Sequence, residues 1–133
     1  MDAVGYLLDR YGVTKPSDKK GVFDNKELLD IYNALLNEGS KSIENAIRMG
    51  LKVEELDIYD LIEELKITDN NDIKIVFQNL YKGSRNHLRT YYSQAQRYGV
   101  SYKPEFISIE LYNRIINSGK ETNSIISDPN FKW

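Results

Sequence analysis

The sequence predicts an all-α fold, and three observations carry this prediction. Apolar residues recur at helical spacing along most of the chain, three or four positions apart. Residues that cap or end helices stand at the limits of these segments. The short β-branched stretch at 73–76 lies inside a longer helical pattern and does not form a convincing strand. The expected architecture is a long antiparallel pair of helices accompanied by shorter ones.

The first predicted helix is amphipathic from its first residues. Val4, Leu7, Leu8 and Tyr11 repeat at helical spacing, and Gly12 stands where a C-terminal cap is expected. The segment resembles the last turns of a longer helix whose beginning is absent.

Two helices are expected in the middle of the chain. Asp24 and Glu27 have the spacing of a capping box, which predicts a helix over 25–38. Ser40 is expected to cap a long helix over 41–66.

The second half of the chain predicts another long helix and a short one. The long helix covers about 71–98 and ends at Gly99, and Ser108 is expected to cap a last helix over 109–118. Residues 120–133 show little periodicity and are interpreted as an irregular tail, after a single helical domain over residues 1–119.

Composition narrows the possible functions. The chain has 133 residues, a formal net charge of −2, one His and no Cys. The absence of Cys excludes disulfides, thiolate metal sites and a Cys nucleophile. No apolar run approaches the roughly 18 residues of a membrane span, and the start of the sequence lacks a signal-peptide pattern, so we expect a cytoplasmic protein. The mild acidity makes a nucleic-acid partner an unfavoured expectation.

Polar residues interrupt the apolar stripes of the two long helices. Because about four residues join these helices, they should pair antiparallel. Glu54 is then level with Ser84, and His87 lies roughly 5 Å farther along the axis. Asp57 lies one turn in the other direction. We expect Glu54, Ser84 and His87 to point into one apolar seam.

A carboxylate in an apolar seam is costly unless something pairs with it. One interpretation is a metal site with Glu54 and His87 as ligands and Asp57 as a weaker one. Imidazole and carboxylate donors suit iron, manganese or zinc. The other interpretation is a polar network in the core, with His87 bonded to Glu54 and no metal. The residues alone leave both open, and they assign no catalytic residue.

Basic residues line one side of the second long helix. They are Lys82, Arg85, Arg89 and Arg97. Such faces are usually solvated or salt-bridged, and binding of phosphate or nucleic acid through the first three is the less favoured alternative.

Several short runs together resemble a ferritin-like family of uncharacterised prokaryotic proteins. The resemblance covers about residues 1–117, and the most specific run is Gly-Ser-Arg-Asn-His-Leu-Arg at 83–89. The other runs lie at 39–42, 53–61, 68–70, 98–100 and 102–104.

The resemblance implies a four-helix bundle of which this chain holds only a part. Standard di-metal bundles offer one Glu and one Glu-x-x-His from each half. Here Glu54 matches the first position, and Ser84-x-x-His87 has Ser84 where the second Glu would stand. This departure argues against a bridged di-iron site and leaves Ser84 beside the ligands. Residues 1–12 resemble the end of the second bundle helix, so the chain resembles the C-terminal half to two-thirds of such a protein.

An incomplete bundle leaves an apolar face uncovered, larger than the few hundred Å² that soluble monomers tolerate. We therefore expect a homodimer in which a two-fold axis brings two copies of Glu54 and His87 together. The expected function is a metal-binding ferritin-like protein, with iron or another divalent metal and redox chemistry on oxygen or peroxide. The alternative is a non-catalytic helical interaction module that has lost the metal site.

Overall fold

The computed structural model describes residues 2–17, 19–122 and 124–133, and these contain five α-helices and no strand. Predictions that include Met1, Asp18 or Asn123 lie outside the described residues at those positions. The all-α fold class is confirmed. The helices are α1 (Ala3–Arg10), α2 (Lys26–Gly39), α3 (Ile43–Ile67), α4 (Asn71–Arg97) and α5 (Ile109–Ile116).

Side-chain caps explain where the helices begin. Ser108 caps α5, as predicted, by accepting a hydrogen bond from a backbone N–H in the first turn. Asn25, rather than the preceding Asp24, caps α2. Ser42, rather than Ser40, caps α3, because its extended backbone lets its hydroxyl accept from the N–H three residues later. The beginning of α3 is therefore two residues later than predicted.

Helices α3 and α4 form the predicted antiparallel pair, and a close approach fixes their register. The ring of Tyr91 lies directly over Gly50, where a Cβ would come within 2.2 Å of a ring carbon. Only glycine leaves room for this contact. Four residues after Gly50, Glu54 faces His87 across the same interface.

The chain reverses direction after α4 at Gly99. Its φ of +65° lies in the left-handed region, which glycine adopts without a steric penalty. The N–H of Val100 donates to the carbonyl of Ala95 at 2.8 Å, which closes the helix end. This turn sends the C-terminal segment back along the hairpin.

The apolar core lies between the α3–α4 hairpin and this returning segment. Leu51, Ile58 and Leu88 are fully buried on the hairpin, and Tyr112 and Ile115 of α5 pack on them. The buried face is thus offset from the predicted seam, since Glu54 borders it and His87 is exposed. The offset arises because α5 and the segment before it cover only one side of the hairpin.

The described residues beyond α5 form neither helix nor strand, but they are anchored along α4. The Asn79 side chain donates to the carbonyl of Ile126 at 2.8 Å and accepts from its N–H at 3.0 Å. Gln78 donates to the carbonyl of Pro129 at 2.7 Å. This tail strap, defined as the described residues 120–122 and 124–133, is irregular but is held against α4 by these hydrogen bonds.

Helices α1 and α2 lie outside the main core. The hydroxyl of Tyr11, just after α1, donates to Asp72 at 2.9 Å, which ties α1 to the start of α4. No residue of α2 is buried, and its apolar residues Leu28, Ile31 and Leu36 are exposed. Within the described part of the chain, no helix is long and apolar enough to cross a membrane.

Candidate functional site

The predicted pair of Glu54 and His87 meets across the α3–α4 interface. The imidazole Nδ1 lies 3.3 Å from the Oε1 atom of Glu54. The Glu54 side chain is 12% exposed, whereas the His87 side chain is 65% exposed. The pair therefore has a buried carboxylate and an imidazole that is open to solvent.

The Glu54 carboxylate is only half satisfied. Its Oε2 atom is buried and has no hydrogen-bond partner among the described residues. Burial raises the pKa of Glu54, and the negative charge of Asp57 adds to this rise. The charge of His87 and hydrogen bonding from His87 and Ser84 lower the same pKa. An oxygen that is desolvated without a partner is a position where a cation or a proton would be favoured.

Asp57 lies one helical turn from Glu54 and is more exposed than Glu54. Burial of its carboxylate raises the pKa of Asp57, and the charge of Asp60 raises it further. Within residues 2–17, 19–122 and 124–133, Asp57 forms no ion pair with His87, and no three His, Asp or Glu side chains come together as a metal-binding group. A single chain therefore brings two of the three predicted ligands into contact.

A cavity of about 440 Å³ opens beside the pair, between α2 and the α3–α4 interface. Its walls are mainly apolar and include Leu36, Met49 and Tyr91. Among its described lining residues, Glu54 is the one carboxylate. The unsatisfied carboxylate thus lies at the edge of an apolar opening that no other segment of the described chain fills.

Sequence reasoning missed the carboxylate that organises the other face of the hairpin. Glu55 is fully buried, and it accepts hydrogen bonds from the Tyr102 hydroxyl at 2.5 Å and from the backbone N–H groups of Phe106 and Ile107. Burial and the hydrogen bond to Glu55 raise the pKa of Tyr102. This carboxylate is a structural anchor for the returning segment.

A signal for this role was present in the spacing. Glu55 comes four residues after Leu51 and three before Ile58, which places all three on one helical face. Because Leu51 and Ile58 belong to the core, a carboxylate between them had to find donors from another segment.

The predicted basic side of α4 is largely occupied by the tail strap. Arg85 is fully buried, and its Nε and Nη2 donate to the two carboxylate oxygens of Glu121 at 2.7 and 2.6 Å. Arg89 also donates to Glu121, at 3.0 Å, and Lys82 donates to the carbonyl of Ser124. The salt-bridged interpretation of these residues therefore agrees with the geometry, and Arg85 and Arg89 do not form an open phosphate site.

Comparison with known proteins identifies the family. Residues 1–119 match the family described as "Uncharacterized protein domain (DUF2202)". The chain belongs to the DUF2202 family. The tail strap begins just beyond the matched region of this DUF2202 protein.

A relative and a solved structure extend this finding. The DUF2202 chain is 45% identical over 123 residues to "Uncharacterized protein MJ0754" of Methanocaldococcus jannaschii, covering 91% of this chain and 66% of the relative. The chain thus spans slightly less than two thirds of that relative's length. The crystal structure of hypothetical protein MJ0754 from Methanococcus jannaschii DSM 2661 superposes with a TM-score of 0.88, over 91% of this chain and 70% of that one. Neither name states an activity, so function is argued from the site.

Proposed function

We propose that this DUF2202 chain binds a divalent transition-metal ion, namely iron, manganese or zinc, through Glu54 and His87. The observation that carries the proposal is the buried, unpartnered Oε2 atom of Glu54 next to an exposed imidazole. Neutral imidazole nitrogen and carboxylate oxygen are donors that suit these metals.

The orientation of the imidazole supports this proposal. Its Nδ1 lies 3.3 Å from the Oε1 atom of Glu54, on a ring that is 65% exposed. Two donors that each lie about 2.0–2.1 Å from one tetrahedral ion are about 3.3 Å apart, so Nδ1 and the Glu54 carboxylate are placed to share an ion. Ser84 is buried beside the pair and contributes hydrogen bonding to Glu54.

The donor set fits half of a metal site. One chain offers two close donors, whereas a structural or catalytic metal site takes three or four protein ligands. In our proposal a second copy, related by a two-fold axis, supplies another Glu54 and His87 and completes a ferritin-like four-helix bundle. The exposed apolar residues of α2 and Leu80 of α4 lie on surfaces that such a partner would cover.

A bound ion would supply a Lewis acid or, as iron or manganese, a redox centre for oxygen or peroxide. The chain's own contribution is to hold the ion with Glu54 and His87. The cavity beside Glu54 would admit a small molecule to that position.

Metal analysis of untagged protein tests the proposal. Four ligands from two chains would hold one ion, so we expect about 0.5 metal ion per chain after incubation with Zn²⁺ or Mn²⁺ and desalting. Glu54→Ala and His87→Ala should each remove most of it, because each removes one of two donors per chain. The matched control is Glu64→Gln, an exposed glutamate on the same helix.

Two results would overturn the proposal. One is a metal content below about 0.1 ion per chain that neither substitution changes, because Glu54 and His87 would then hold no ion. The other concerns the second copy. If light scattering at micromolar concentration with Zn²⁺ present shows a monomer, the proposed two-chain bundle does not form.

A second candidate is a non-catalytic helical interaction module without metal. The apolar residues of α2 favour it, because Leu28, Ile31 and Leu36 are all exposed to solvent. Under this alternative, Glu54 and His87 form only a polar pair. A dimer that forms without metal and persists in Glu54→Ala and His87→Ala would support it over the metal site.

A further inference from the structure

A second cavity shares no described lining residue with the cavity beside Glu54. It has a volume of about 520 Å³ and opens between the end of α3, the start of α4, α5 and the tail strap. Ile62, Leu65 and Leu111 form an apolar wall, and Tyr81 and Trp133 form an aromatic one. Cavities that bind small molecules have this size and this predominantly apolar lining.

Two of its lining residues carry buried polar atoms that lack hydrogen-bond partners within the described chain. One is the Nη1 of Arg85 and the other is the Oε1 of Gln78. The Arg85 side chain is 0% exposed, and it donates hydrogen bonds to Glu121 through Nε and Nη2. Nη1 is thus a buried charged donor with an unused hydrogen-bonding capacity, and such donors bind anions strongly.

Aromatic rings hold the Arg85 guanidinium in place. Its Cζ lies 4.1 Å from the ring centre of Tyr81 and 4.4 Å from that of Trp133. Stacking on aromatic faces and the bidentate pair with Glu121 fix the plane of the group. A preorganised donor costs little conformational entropy when an anion binds.

The charge around the cavity is of one sign. Lys66, Lys74 and Lys132 line it together with Arg85, and no Asp or Glu side chain is among its described lining residues. Lys66 is paired with Glu63 on the exposed surface. Arg85 is likewise paired with Glu121, so Lys74 and Lys132, which form no ion pair among the described residues, supply the charge that attracts a negatively charged group into the cavity.

We propose that this cavity binds a small amphipathic organic anion, a carboxylate attached to an apolar body. The carboxylate accepts from Arg85 Nη1, and the apolar body packs on Ile62, Leu65 and Leu111. Lys74 is eleven residues earlier on α4, about 16 Å along the helix axis, so it attracts the carboxylate through its charge without contacting it. This site is separate from the metal half-site and does not depend on it, because its described lining includes neither Glu54 nor His87.

Trp133 provides a direct readout, since it is the single tryptophan of the chain and lines the cavity. The full chain is titrated with decanoate and with decanamide, its neutral counterpart, below micelle-forming concentrations. We expect a saturable fluorescence change with decanoate and affinity for decanamide that is roughly tenfold weaker, because the amide lacks the charge. Equal affinity for the two compounds, or no saturable change with decanoate, would overturn the proposal.

Substitutions at the cavity locate the site by calorimetry. Lys74→Gln should weaken decanoate binding by about three- to fivefold, as expected for a partly exposed charge pair, and Lys74→Arg should restore it. Lys20→Gln, an exposed lysine outside the cavity, is the matched control. Leu65→Glu should abolish binding by placing a negative charge against the ligand.

Arg85 itself is a poor target because its replacement removes a fully buried side chain and leaves Glu121 with Arg89 as its one ionic partner in the described chain, which endangers the fold. The Lys74 and Leu65 variants keep the test decisive, since both positions are partly exposed. Decanoate binding that is equal in Leu65→Glu, Lys74→Gln and the unmodified chain would place the ligand elsewhere and refute the assignment.

Discussion

Two adjacent glutamates of α3, on different faces of the α3–α4 hairpin, differ in how well their carboxylates are hydrogen-bonded. Glu55 points toward the returning C-terminal segment, is fully buried and accepts three hydrogen bonds. Glu54 is rotated by about 100° on the same helix, and one of its oxygens has no partner in the described chain. A satisfied buried carboxylate stabilises a fold, whereas an unsatisfied one is maintained at a cost. The comparison marks Glu54 as the functional candidate.

Helix α4 repeats this contrast with cations. Arg85 is fully buried against Glu121, and His87, two residues later, is 65% exposed. On the face covered by α5 and the tail strap, Arg85 and Arg89 are therefore paired with Glu121 within the chain. The other face leaves an acid and a base at its surface, available to an ion or a second chain.

The largest expected effect separates Glu55 from Glu54. Glu55→Ala removes the acceptor of three donors, which should lower the free energy of unfolding by about 3–5 kcal/mol. Glu54→Ala should change it far less, because burial has already raised the pKa of Glu54 and makes its charged form unfavourable in the folded state. Urea unfolding of both variants measures the difference. Equal losses of unfolding free energy in the two variants would show that Glu54 and Glu55 stabilise the fold equally, and would refute the contrast between them.

Acid should release the tail strap, with an intermediate effect. Burial alone would raise the pKa of Glu121, but hydrogen bonds and charge from Arg85 and Arg89 hold it below the ordinary value of 4.5. Because the pKa of Glu121 is lower in the folded state than in the unfolded state, ionised Glu121 stabilises the fold at pH values above its ordinary pKa. This stabilisation is lost as the pH falls through the lowered pKa of the folded state. We expect Trp133 fluorescence to shift to the red in that range.

The variant Glu121→Gln tests this assignment. It leaves Arg85 buried without a counter-charge, so we expect a loss of about 2–3 kcal/mol at neutral pH and little further fluorescence change in acid. Glu54 should behave in the opposite sense: because its pKa is raised, its ionisation destabilises the folded state as pH rises through that pKa. A transition that remains in Glu121→Gln would assign the acid sensitivity to another group.

The smallest expected effect concerns the helix contact near Glu54. Gly50→Ala places a Cβ 2.2 Å from a ring carbon of Tyr91, so the ring must move. We expect a loss of about 1–2 kcal/mol in unfolding free energy, since Tyr91 is partly exposed and has room to shift. Gly83→Ala is the matched control, because a Cβ added there would meet no neighbouring atom within 4 Å. Stabilisation in both variants would show that helix propensity outweighs the contact.

Local patterns were enough to predict the helices and the meeting of Glu54 with His87. Helical periodicity and a short connection determine that α3 and α4 are antiparallel, and this sets which residues are level. The predicted caps lie within two residues of the observed ones. The remaining difference arises because neighbouring polar side chains near a helix start can accept from the same backbone N–H groups. These features depend on residues close together in the sequence.

Which face of the hairpin is buried could not be predicted from such local patterns. Both faces of the hairpin carry apolar residues, and the buried one is selected by Tyr102, Phe106 and Ile107, about fifty positions from Glu55. Likewise, the burial of Arg85 depends on Glu121 in a tail that lacks periodicity. Long-range partners of this kind leave no local pattern, so the sequence alone left open whether the charges of α4 are solvated or salt-bridged.

The way in which Glu55 holds the returning segment has a consequence for sequence variation. Two of its three donors are main-chain N–H groups at positions 106 and 107, and every residue except proline has such a group. Among DUF2202 sequences, substitutions at 106 that avoid proline should therefore be tolerated, while Glu55 and Tyr102 should change rarely and together. An alignment should then show a constrained glutamate at position 55 and a variable residue at position 106.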